Sequence, residues 1–164
     1  GNFLIKRVVF EIQEELPNIK HFGTLSPIPG FRDWFAYLED VKIKNILGDI
    51  PLENISFLKS RDLKIGDPRI VSNKEAIKKL VAHYLMNEKN QKQLPINDVC
   101  RFHLGNGAII DDIVINANVS EVGLNRSFGV MVNYLYELKN IEKNHEEYIN
   151  NKTIIVSDKL KKII

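Results

Sequence analysis

The sequence predicts an α+β fold, a single domain of mixed helix and strand layers over residues 1–164. Three observations predict it. Apolar residues recur at helical spacing in some segments and form short β-branched or aromatic runs in others. The Gly105-Asn106-Gly107 link is a hairpin signal, which favours an antiparallel pair over a purely parallel sheet. Of the 164 residues, 44% are hydrophobic and 27% charged, a profile that sustains a buried core without staples.

Taken in order, residues 3–16 read as a helix, with Asn2 as N-cap and Pro17 as stop. Its first half is apolar nearly all round, at Phe3, Leu4, Ile5, Val8, Val9 and Phe10. Such a helix is expected to be covered on more than one side, by an N-terminal portion outside this chain or by a second copy. Residues 19–25 read as a strand. The following Ser26-Pro27-Ile28-Pro29-Gly30 fixes an abrupt turn, because two prolines and a glycine prevent regular structure. Residues 31–38 read as helix. Residues 40–71 read as short helix and loop, punctuated at Gly48-Asp49, Gly66 and Asp67-Pro68.

Ser72 and Glu75 have capping-box spacing. They precede Ile77, Leu80, Val81, Tyr84 and Leu85, which fall on one helical face. Residues 99–104 read as a strand, linked by Gly105-Asn106-Gly107 to a return strand at 108–110 and 113–115 that Asp111-Asp112 interrupts. Helical spacing returns in residues 127–138, at Phe128, Met131, Val132, Leu135 and Tyr136. A further helix is predicted over 141–148, and a basic amphipathic turn or two within 153–164.

Several function classes lose support here. No apolar run reaches the roughly 18 residues of a membrane span, and no secretory signal pattern opens the chain. A net charge of +2 gives no argument for nucleic acid or an anionic membrane. A single cysteine, Cys100, suits a reducing compartment, and a cytoplasmic location is expected, with a mitochondrial or peroxisomal one also open. The four histidines lie in separate elements with no CxxC or HxxxH spacing, so no metal is expected. There is no GxxxxGK[ST] phosphate loop and no GxSxG elbow.

Two residues stand out for chemistry. Ser26 sits where a strand runs into a turn that cannot relax, which suits a hydroxyl facing a pocket. The plainer reading is a serine that caps the turn. His103 lies in an otherwise apolar segment, and imidazole is the side chain tuned for proton exchange near neutral pH. The plainer reading there is a core histidine bonded to a carbonyl. Asn133 and Tyr136 join the candidates because i and i+3 share one helix face.

Four blocks, in one order and at compatible separations, carry a resemblance: FLIKRVV (residues 3–9), LSPIPGF (25–31), RFHLGNGA (101–108) and GVMVNYLY with IEKNH (129–136 and 141–145). Together they resemble malonyl-CoA decarboxylases. The resemblance implies the C-terminal part of a GNAT-like acyl-CoA acyltransferase fold, behind a helical domain and the first part of a sheet that are not in this chain. It implies conversion of malonyl-CoA to acetyl-CoA and carbon dioxide, with no metal or organic cofactor and with CoA as part of the substrate. It implies that Ser26 and His103 act as a pair, that Tyr136 lines their site, and that Gly1 and Asn2 end the loop receiving the CoA pyrophosphate. Impaired activity of the chain alone is expected on this view. A non-catalytic, partner-binding chain and an acyl-CoA N-acetyltransferase remain as alternatives.

Overall fold

The computed structural model describes residues 4–60 and 62–164. The predicted cap at Asn2, and the predicted phosphate contacts of Gly1 and Asn2, lie outside those residues. The architecture is α+β. A three-stranded sheet is built from β1 (Phe22–Pro27), β2 (Ile109–Val114) and β3 (Met131–Tyr136), in the order β1-β3-β2. Both pairings are antiparallel.

Ten α-helices and one 3₁₀ turn (Phe57–Lys59) in the described residues surround or extend this sheet. Five precede the longest: α1 (Leu4–Glu15), α2 (Phe31–Ala36), α3 (Asp40–Leu47), α4 (Glu53–Ser56) and α5 (Pro68–Ser72). The rest are α6 (Lys74–Met86), α7 (Asp98–Gly105), α8 (Glu121–Ser127), α9 (Ile141–Asn151) and α10 (Asp158–Lys161). None is long and apolar enough to cross a membrane.

The central core helix is α6. The predicted stripe of Ile77, Leu80, Val81, Tyr84 and Leu85 is buried, together with Ala76 and Ala82. Its start differs from the predicted box. Asp67 caps α5 by accepting the Arg69 backbone N–H at 3.0 Å, and that short helix absorbs Ser72. The Ser72 hydroxyl then donates back to the Pro68 carbonyl at 3.1 Å, and Asn73 becomes the junction with α6. In α1 only Val9 is fully buried, whereas Leu4, Val8 and Phe10 are exposed, so the all-round cover expected of this helix is not seen within the described chain.

Two segments fold differently from their predicted type, and both matter for function. Residues 98–105 are helix α7, not a strand. Asn97 caps it, its side-chain oxygen accepting the Cys100 N–H at 2.8 Å. Gly105-Asn106-Gly107 is the exit of that helix, not a hairpin: Asn106 N–H returns to the Phe102 and His103 carbonyls, and Gly107 takes the left-handed conformation at φ 84°.

The second segment is 127–138. Helix α8 stops because Phe128 and Gly129 both take positive φ, at 55° and 77°. The chain then emerges as β3, whose alternation of Val132, Tyr134 and Tyr136 is buried while Met131, Asn133 and Leu135 are half-covered. The same apolar letters satisfy a helical period and a strand period, and the break in chirality decides between them.

The acidic pair in β2 does not end the strand. It makes a bulge between Ile110 and Asp112. Asp111 accepts from Asn133 Nδ2 at 3.0 Å and from Lys159 Nζ at 2.8 Å, while Asp112 accepts from Lys78 Nζ at 2.9 Å. The bulge thereby ties β3, α10 and α6 to one edge of the sheet.

Gly107 admits no side chain. A Cβ there would lie 2.2 Å from the Ile141 carbonyl oxygen, in addition to the left-handed backbone. Gly107→Ala should destabilise the fold by about 2–4 kcal/mol, because strain and a backbone clash add. Chemical denaturation measures this, and a loss below about 0.5 kcal/mol would show that α9 can retreat freely from the turn.

Candidate active site

Strand β1 carries Thr24 and Ser26 on the same face as Val132, Tyr134 and Tyr136 of β3, since Ser26 pairs with Val132 and Thr24 with Tyr134. The last turn of α7 brings His103 to that face. The result places His103 over the middle strand. Its Nε2 lies 2.9 Å from Ser26 Oγ, and its Nδ1 lies 2.7 Å from Tyr136 Oη. Its ring stacks on Tyr134, with centroids 4.2 Å apart and planes at 16°.

Ser26, His103 and Tyr136 are separated by 77 and 33 positions along the chain, yet they form one continuous hydrogen-bonded row. All three are buried. The Ser26 hydroxyl has a second neighbour, Thr24 Oγ1, at 3.1 Å. When Ser26 donates to Thr24, His103 donates from Nε2 to Ser26 and accepts at Nδ1 from the Tyr136 hydroxyl. The opposite polarity reverses both His103 bonds. Either pattern requires a neutral imidazole, with one nitrogen protonated.

The surroundings favour that neutral form. Burial lowers the His103 pKa from 6.5 to about 4. Burial also raises the Tyr136 phenol well above its ordinary value. Burial thus favours the uncharged forms of both His103 and Tyr136 at neutral pH.

Asn133 is not part of this row. In a strand, residues i and i+3 point to opposite faces, so the helical geometry that grouped it with Tyr136 does not exist here. Its amide bonds Asp111 on the far side of the sheet. The other histidines are elsewhere. His145 Nδ1 donates to the Gly105 carbonyl at 2.7 Å and supports the end of α7. His83 stacks near Trp34 and lies 3.3 Å from Glu88, with its pKa lowered chiefly by burial. Cys100 is buried and its thiol is pushed up to about 11, so it is a packing residue, not a thiolate. Among the described residues no three His, Cys, Asp or Glu side chains gather to hold a metal ion.

Sequence reasoning missed Tyr134 and Thr24. The signal was available in the alternation Val132-x-Tyr134-x-Tyr136, which puts both tyrosines on the core face once β3 is read as a strand. Tyr136 also lines an open cavity of about 460 Å³ at the end of β3, together with Lys20, His21 and Lys139.

Comparison with known proteins agrees with the motifs. Residues 1–164 match the family described as the malonyl-CoA decarboxylase C-terminal domain. The chain belongs to the malonyl-CoA decarboxylase family. It is 34% identical to the mitochondrial malonyl-CoA decarboxylase of Mus musculus over 182 aligned residues, covering 100% of this chain and 37% of that protein. It is likewise 34% identical to that of Anser anser anser, covering 98% of this chain and 35% of the relative. The chain thus spans little more than a third of the curated relatives it matches. The crystal structure of malonyl-CoA decarboxylase from Rhodopseudomonas palustris superposes with a TM-score of 0.88 at 37% identity, over 99% of this chain and 37% of that one. The enzyme from Cupriavidus metallidurans superposes with a TM-score of 0.83 at 32% identity, over 100% of this chain and 43% of that one.

The burial of a neutral imidazole has a thermodynamic signature. His103 takes up its proton near pH 4 when folded but near pH 6.5 when unfolded. Between those values the unfolded state binds more protons, so stability falls as pH drops through that window. His103→Asn should remove this share of the slope, measured by denaturation at about pH 7 and about pH 4.5. An unchanged slope would mean that the imidazole is not held neutral.

Proposed function

We propose that the protein carrying this chain decarboxylates malonyl-CoA to acetyl-CoA and carbon dioxide, and that Ser26, His103 and Tyr136 deliver the proton. The observation that carries the mechanism is the buried row Ser26–His103–Tyr136, with contacts of 2.9 and 2.7 Å. Family membership supports the substrate.

Cleavage of the bond between Cα and the carboxylate carbon releases carbon dioxide and leaves the bonding pair on Cα. The thioester carbonyl delocalises that pair as an enolate, and donors aimed at the developing charge lower the barrier. One proton must then reach Cα. A free imidazolium is a poor source. With a pKa of about 4, only about one His103 in a thousand is charged at pH 7.

A neutral relay avoids this shortage. Ser26 O–H gives its proton to Cα. Ser26 Oγ recovers one from Nε2–H of His103, and Nδ1 takes one from the Tyr136 hydroxyl. A solvent proton restores the last, and the imidazole, left as its Nδ1–H tautomer, returns to the Nε2–H form by exchange with solvent after the product leaves. The sum is one solvent H+ delivered to Cα, the H+ that the reaction consumes on losing carbon dioxide, with no charged imidazole. The reading asks for no metal or organic cofactor, because the thioester itself is the electron sink.

The test is carbon dioxide release from malonyl-CoA by the intact protein. Ser26→Ala and His103→Ala should each lower kcat by roughly 10²-fold or more, the scale of one acid–base group. Tyr136→Phe should cost roughly 10-fold or more, with KM changed less. The kcat profile should show no inflection near the free imidazole value of about 6.5. Wild-type turnover in Ser26→Ala and His103→Ala, or acetyl transfer to an amine with no carbon dioxide released, would sink the reading.

A further inference from the structure

Strand β1 carries Ser26 and ends at Pro27, and the chain then turns through Ile28–Phe31, with Pro29 and the left-handed Gly30 (φ 82°) at the central positions. One long hydrogen bond closes that turn from within, from the Phe31 N–H to the Ile28 carbonyl at 3.4 Å, and Pro27 and Pro29 lack the N–H groups to add another. The carbonyl of Pro29, inside the turn, is gripped from outside. Asn97 Nδ2 donates to Pro29 O at 2.9 Å, and Tyr84 Oη donates to the same oxygen at 3.1 Å. Both lone pairs are then used.

Asn97 does a second thing at once. It is the N-cap of α7, with its Oδ1 on the Cys100 N–H at 2.8 Å. It is only 2% exposed, and both ends of its amide are committed. His103 sits six residues further along that helix, about 9 Å by helical rise. The links therefore close into a ring: Asn97, α7, His103, the 2.9 Å contact to Ser26, the turn, Pro29, and back to Asn97.

We infer that Asn97 is a positioning residue for the Ser26–His103 pair, a single buried amide that fixes the serine turn and the histidine helix to one another. This rests on the reading of those two residues given above. Apolar packing around Ile28 and Phe31 holds the turn in the core but is non-directional. The amide adds direction, and hydrogen-bond lengths tolerate only a few tenths of an ångström. Tyr84 supports the same carbonyl from α6, and a side chain at Gly30 would meet its hydroxyl at 2.9 Å, so the turn residue is itself fitted to this grip. Neither Asn97 nor Tyr84 bonds Ser26, His103 or Tyr136 directly among the described contacts.

The capping and clamping roles of Asn97 separate by substitution. Asn97→Ser and Asn97→Asp keep a side-chain oxygen that can cap α7 but cannot grip the Pro29 carbonyl as the amide does. In the intact protein each should keep a melting temperature within a few degrees of wild type, lower kcat by roughly tenfold or more, and leave KM within about threefold. Tyr84→Phe keeps the ring and removes the other donor, and should lower kcat in the same sense. The imidazole N–H proton resonance of His103 should move upfield in Asn97→Ser as its hydrogen bond to Ser26 lengthens. Wild-type kcat and an unmoved resonance in Asn97→Ser, with Ser26→Ala inactive, would overturn the clamp and leave the catalytic pair standing. Wild-type kcat in Ser26→Ala would instead remove the pair. If Asn97→Ser and Asn97→Asp fail to fold, Tyr84→Phe decides, and full turnover there overturns the clamp.

Discussion

The imidazole of His103 is held on three sides by side chains of two strands, and the site exists only because those strands meet helix α7 there. One ring nitrogen faces Ser26 of β1, the other faces Tyr136 of β3, and the ring face lies on Tyr134. Two in-plane hydrogen bonds and one stacking contact leave the ring little freedom to turn. Burial favours the neutral imidazole, and the proposed chemistry is built on that form. A charged acid–base pair would need a carboxylate nearby. A chain of neutral donors and acceptors needs only good geometry.

That geometry is supplied by parts of the molecule that do no chemistry. The cap on α7 sets where the helix begins, and the left-handed exit at Gly107 sets where it ends. The grip on the Pro29 carbonyl fixes the turn after Ser26. The bulge at Asp111, with its lysine partners, anchors the far edge of the sheet, so β3 cannot slide and carry Tyr134 and Tyr136 with it. Surface ion pairs of this kind contribute little stability singly. Their value here is in register.

Elements with a single dominant period were legible in the sequence. The apolar stripe of α6 is unambiguous at helical spacing, and the prolines and glycine after Ser26 mark a turn, which begins two residues later than predicted because Ser26 and Pro27 still pair in β1. The family motifs were legible too, because LSPIPGF and RFHLGNGA combine rare residues in fixed order. Elements with two compatible periods were not. Residues 99–104 and 127–138 each carry apolar letters that suit a strand or a helix, and the two were read in reverse. What settled them were caps and left-handed residues, at Asn97, Gly107, Phe128 and Gly129, whose effect depends on one or two dihedral angles.

By itself, the sequence determined which residue types are present and that the fold mixes helices with strands; the antiparallel pairing was expected from a hairpin signal that is in fact a helix exit, and the tertiary structure decided it. Those follow from composition, motif and local pattern, which act over a few residues. The tertiary structure alone decided that a serine and a histidine 77 positions apart share a hydrogen bond, that Tyr136 continues the row, and that Asn133 stands outside it. The physical reason is that a strand alternates its side chains across the sheet while a helix groups them on one face. Which neighbours a residue acquires is therefore fixed only when the element type and its register are fixed together.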